Sequence, residues 1–121
     1  MKWFLGGAAG LHAFFMLSEL FPWSFPLILR IATKKLPSTE TFTAAQRTFV
    51  ATLVHNAGIY NGIVAAGLAW AAVGGYSTAE VARIMLLGAT FAGIFGTLTL
   101  KSPLTAVQAI VGIIGLILVQ K

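Results

Sequence analysis

His55-Asn56-Ala57-Gly58-Ile59-Tyr60-Asn61-Gly62, continuing through Ala65, Gly67 and Trp70, is the stretch on which the reading of this chain turns. It belongs to an apolar segment long enough to cross a bilayer, yet it carries two asparagines, a histidine and a tyrosine. Such groups are costly in hydrocarbon unless other protein groups satisfy them. The remaining apolar segments are therefore expected to wall this one in, which makes the fold an all-α bundle in a membrane.

Composition points the same way. The 121 residues are 58% hydrophobic and only 9% charged, whereas roughly a quarter of a soluble domain is charged. That is too little charge to cover a water-facing surface, so an integral membrane protein of one domain, residues 1–121, is expected. The chain has no cysteine, which excludes disulfides, thiolate metal sites and CxxC redox chemistry. The net charge of +5 suits cytoplasmic loops and anionic lipid headgroups. Membrane lipids, not nucleic acid, are the expected partners.

Outward from the central stretch, four transmembrane spans are expected, at about 3–21, 49–70, 78–100 and 103–119. The N-terminal run after Lys2 resembles a signal peptide but has no small-residue cleavage site, so it reads as a retained first span. Pro22 and Pro26 end or bend it, because proline lacks an N–H and clashes with the preceding turn. Residues 24–36 form a short basic interfacial segment, with Arg30, Lys34 and Lys35 set against headgroups. Pro37-Ser38-Thr39-Glu40 is a helix-start signal, and the helix after it is expected to reach Val73, with Gln46 and Arg47 protruding from the bilayer. Ser77-Thr78-Ala79-Glu80 opens the third span, with Arg83 placed to pair with Glu80. Ser102-Pro103 opens the fourth. The distribution of basic residues favours both termini outside and the basic segment in the cytoplasm.

Small residues recur every four positions at Gly6/Gly10, Gly58/Gly62 and Gly88/Ala92/Gly96. Such faces let helices approach closely, within one chain or across a homodimer. The polar residues gather on the same segments. His12 and Glu19 are seven apart and share one helix face. In an antiparallel arrangement His12 and Asn61 fall near mid-membrane, while Glu19, His55, Asn56, Thr97 and Gln108 lie within two turns of the inner ends and Tyr60 sits between. His12, Glu19, Asn56, Tyr60, Asn61 and Gln108 are thus the candidate ligand-binding residues, with Glu19 as proton or cation partner. The competing reading is interhelical hydrogen bonding, each bond contributing about 0.6 kcal/mol. Two histidines and a glutamate without metal-ligand spacing do not make a metal site. No nucleotide, hydrolase or other cofactor motif is present, so neither a cofactor nor a catalytic residue is assigned.

Leu11-His12 through Ser18-Glu19 to Pro22-Trp23 resembles the opening of the DUF1304 family of small bacterial membrane proteins. Asn56-Ala57-Gly58-Ile59-Tyr60-Asn61-Gly62 resembles its central motif, with Ala57 where glutamine is usual, and Ala92-Gly93-Ile94-Phe95-Gly96 and Gln108 resemble its later positions. The resemblance implies a compact four-helix protein of the bacterial inner membrane and supplies no function. The leading expectation is a small protein that binds or transports a lipophilic or cationic ligand through the polar cluster between the first two helices. The alternatives are a structural or accessory subunit, and a membrane enzyme using His12 and Glu19 as acid and base.

Overall fold

The computed structural model describes residues 1–24, 42–74 and 78–120. Four α-helices account for nearly all of them: α1 Lys2–Leu20, α2 Ala44–Val73, α3 Thr78–Leu100 and α4 Pro103–Val119. A 3₁₀ turn, Pro22–Ser24, follows α1, and there is no strand among the described residues. The expected interfacial segment, with Arg30, Lys34 and Lys35, lies outside them apart from Ser24.

The helix ends follow from local chemistry. Pro22 stops α1 two residues after its last helical residue, Leu20, and the Phe21 N–H still closes on the Leu17 carbonyl. The helix-start signal at residues 37–40 also lies outside the described residues, and α2 begins beyond it, at Ala44. Thr43 and Gln46 form a reciprocal capping box there. The Gln46 N–H donates to Thr43 Oγ1 at 3.2 Å and the Thr43 N–H donates to Gln46 Oε1 at 2.8 Å, which satisfies two amide donors that a helix start otherwise strands. Ser102 caps α4 through Leu104 N, with Pro103 at the first helical position. Lys101, at φ 52°, takes the left-handed turn between α3 and α4. The expected Glu80–Arg83 pair does not form. Arg83 Nη2 instead donates to the Val119 carbonyl at 3.3 Å, where a cation meets the negative end of the α4 dipole.

The bundle is two antiparallel hairpins, α1 with α2 and α3 with α4, which meet mainly through α2 and α3. Small residues set the separations. A Cβ at Gly62 would lie 2.7 Å from Met16 Sδ, one at Gly67 2.6 Å from Met85 Cγ, and one at Gly93 would run into the backbone of Ala109 and Thr105. Leu68 and Leu86 are fully buried where the hairpins meet, among Ala8, Ala71, Ala82 and Ala89. Large apolar side chains are outside instead: Phe49, Trp70, Phe91, Phe95 and Leu98 are all more than 60% exposed. Helices α2 and α3 are each long and apolar enough to cross a membrane.

The α3–α4 contact is thus backbone against backbone at Gly93, and backbone cannot step aside. Gly93→Ala is expected to destabilise by about 1–3 kcal/mol through overpacking, which outweighs the roughly 1 kcal/mol that alanine gains in helix propensity. Gly6→Ala and Gly10→Ala face open space and should melt no lower than the native chain. Thermal unfolding in detergent, followed by circular dichroism, checks both; equal melting of all three variants would contradict this account of the interface.

Candidate functional site

The central polar residues meet between α1 and α2. Successive contacts on the inner face of α1 come from Leu5, Ala8, Ala9, His12, Phe15 and Ser18, the i, i+3, i+4 recurrence of one helix stripe. Glu19 adjoins that stripe two turns beyond His12. Side chains on a helix lean toward its N-terminus, so Glu19 leans back toward His12. Asn61 enters the space between them from α2.

One primary amide then bonds in both directions. Asn61 Nδ2 donates to Glu19 Oε2 at 2.7 Å, and Asn61 Oδ1 accepts from His12 Nδ1 at 2.7 Å. An amide oxygen can only accept, so Nδ1 is the protonated ring nitrogen. His12 is fully buried and Asn61 nearly so, while Glu19 is half-buried. The other ring nitrogen, His12 Nε2, is buried without a hydrogen-bond partner among the described residues. Phe15 stands edge-on to the imidazole, with centroids 6.0 Å apart and planes at 84°. Its ring is an apolar wall, and the Ser18 hydroxyl is spent on the Phe15 carbonyl of its own helix.

The glycines around Asn61 make this reach possible. A Cβ at Gly58 would sit 3.2 Å from Glu19 Cβ and Leu20 Cγ and 3.3 Å from Leu20 N. With Met16 over Gly62, α1 is seated directly on the Gly58–Gly62 surface. These wall residues, Phe15, Met16 and Gly58, were not among the candidates. Their signal was spacing: Phe15 and Met16 follow His12 by three and four residues, and so share its side of the helix.

The other candidates are not joined to this chain of three. Tyr60 is 37% exposed and points its hydroxyl at α3, where a Cβ on Gly88 would be 2.7 Å away. Asn56 and His55 are exposed on α2. Gln108 is buried on α4, and no hydrogen bond among the described residues links it to His12, Asn61 or Glu19. Thr97 donates to the Gly93 carbonyl of its own helix and contacts Thr105 Oγ1 at 3.3 Å. Among the described residues no three of His, Cys, Asp and Glu converge as metal ligands. A shallow cavity of about 220 Å³ lined by Trp70, Val73 and Gly74 lies at the far end of α2, roughly 14 Å beyond Asn61 along the helix.

Fold and site together define a class: a small all-helical protein with helices of membrane-crossing length and a buried His–Asn–Glu chain between two of them. The chain belongs to DUF1304, a protein family of unknown function whose model matches residues 6–120. No curated protein and no solved structure matches it. The family departure at Ala57 falls on an exposed position of α2, so it leaves the polar chain untouched.

Asn61 satisfies His12 and Glu19 at once, so its loss strands both. Asn61→Ala is expected to cost about 1–3 kcal/mol, the penalty for leaving buried partners unpaired. In a His12→Phe background the same substitution should cost measurably less, because one of the stranded groups is gone. A double-mutant cycle on unfolding free energies tests this; strict additivity would show that the His12–Asn61 bond carries no energy.

Proposed function

We propose that this is a four-span protein of the bacterial inner membrane that binds a small lipophilic or cationic ligand at the His12–Asn61–Glu19 chain. The observation that carries the ligand reading is the bare, fully buried Nε2 of His12. Buried polar groups in native structures are hydrogen-bonded with few exceptions, and a nitrogen left open at the end of an ordered chain is a natural contact for a guest. Ionisable groups in membrane helices also mark substrate or proton paths by default. The membrane reading rests on the inverted surface. Only 17% of the most apolar window of α2 and 28% of that of α3 are buried inside the bundle, which does not suit the core helices of a soluble domain. The shorter α1 and α4 are their antiparallel partners and cross with them in this reading.

A second reading, that the chain only holds α1 to α2, is favoured by the direct bond from Asn61 Nδ2 to Glu19 Oε2. A thermal-shift screen in detergent separates the two. Lipophilic cations, quinols, lipids and divalent metals are tested against the native chain and Glu19→Gln, which keeps an acceptor for Asn61 and removes the charge. Ligand binding raises the melting temperature by mass action. The expected result is one class that stabilises the native chain and has lost most of that effect in Glu19→Gln. A blank screen, with the variant melting several degrees lower, would favour the structural reading.

Topology follows from charge placement: Lys2 and Lys121 outside, Arg30, Lys34 and Lys35 at the cytoplasmic face. The chain has no native cysteine, so single replacements report cleanly. Lys2→Cys is expected to react with an impermeant maleimide on intact spheroplasts and Lys34→Cys only after lysis; the reverse pattern would invert the topology.

A further inference from the structure

We infer that the ligand of this site carries a hydrogen-bond donor, an O–H or N–H on a small apolar body, and that His12 Nε2 is the atom that accepts it. The inference rests on the ligand-site reading above and narrows it. Its basis is the order of donors and acceptors. Glu19 Oε2 accepts from Asn61 Nδ2, whether Glu19 is ionised or holds a proton on its other oxygen. Asn61 must then turn Oδ1 toward His12, and Oδ1 can bond the ring only through a proton on Nδ1. In the neutral imidazole this leaves Nε2 as a lone pair. Glu19 thus fixes the polarity of a nitrogen it does not touch, in the way a buried carboxylate fixes the tautomer of a histidine directly bonded to it.

A lone pair discriminates sharply in a buried setting. It accepts from a phenol, an alcohol, a quinol or a protonated amine. It offers nothing to an ether, a ketone, a quinone or a quaternary ammonium, whose binding would leave Nε2 unpaired and give up the hydrogen bond. The surroundings suit an apolar body: Phe15 lines the ring, and Met16, unbranched and adaptable, lies over Gly62 one turn away. His12 is fully enclosed, so a guest enters only as such side chains part, which favours a small molecule already dissolved in the bilayer.

The test uses the whole chain in detergent with ¹⁵N-labelled histidine. Histidine occurs twice, and His55→Gln, at an exposed position outside the chain of three, leaves His12 as the one signal. The expected spectrum has Nδ1 as the N–H nitrogen and Nε2 as the bare one. The probes are 4-propylphenol and its methyl ether, 4-propylanisole, in which the donor is replaced by a methoxy group. The phenol is expected to shift Nε2, raise the melting temperature and bind roughly five- to tenfold more tightly than the ether, the worth of one hydrogen bond. A proton on Nε2 in the free protein, or equal binding of both probes, would overturn the inference. If neither probe moves Nε2 while another class in the screen gives Glu19-dependent stabilisation, the donor rule fails and the site stands. If that screen is blank as well, both fall.

Discussion

Asn61 is the residue on which the rest of the site depends, because it must be donor and acceptor at once. Its two partners are unlike. Glu19 Oε2 needs a donor and His12 Nδ1–H needs an acceptor. Aspartate would present only acceptors and leucine neither, whereas a primary amide presents one of each about 2.3 Å apart. Between closely packed helices, the identity of this one side chain therefore decides whether two ionisable residues on α1 are held or stranded. The glycines at 58 and 62 follow from the same requirement. An asparagine side chain is short, so α1 must come within its reach, and a methyl group at Gly58 would press on the backbone and Cβ atoms that deliver Glu19.

Much of this was legible from residue spacing. The seven-residue interval from His12 to Glu19 puts both on one face, and antiparallel counting puts Asn61 level with His12; the hydrogen bonds bear out that pairing. The same period argues against grouping Asn56 with Asn61, since five residues at 100° each separate them by about 140° around the helix. Asn56 accordingly faces out. Tyr60 could not be placed this way, because its position between two faces becomes decisive only once Gly88 of α3 supplies the space its hydroxyl occupies. Which way the Asn61 amide turns was likewise out of reach of a pattern. It depends on the joint demands of two partners, not on any one position.

Glycine spacing shows the same division between local pattern and tertiary context. Gly6/Gly10 and Gly58/Gly62 are identical in sequence form. The second pair is filled by Met16, Glu19 and Leu20, while the first meets nothing within 4 Å. A small-residue stripe states that close approach is permitted; it does not say by what. The polar helix ends are similar. Arg47 sits 5.1 Å over the Trp23 ring, a cation–π contact that joins the start of α2 to the turn after α1, and Arg83 reaches the end of α4. Each of these two arginines meets a partner that sequence distance alone would not select, since 24 and 36 positions separate the two contacts' members.

The form of the polar chain also bears on the choice between interhelical adhesion and the proposed ligand site. Adhesion is best served by groups that close on each other. Hydroxyls and amides suffice for that, and a measured interhelical bond contributes only about 0.6 kcal/mol. The α1–α2 chain instead places a half-buried carboxylate at one end and a bare imidazole nitrogen at the other. Both ends carry a desolvation cost that adhesion does not require. A glutamine at position 19 would also offer Asn61 an acceptor, through a weaker, neutral hydrogen bond and without an ionisable group. The combination in place links a half-buried carboxylate to an enclosed nitrogen through a single amide, the arrangement the proposed site needs if occupancy at His12 is to be read at Glu19.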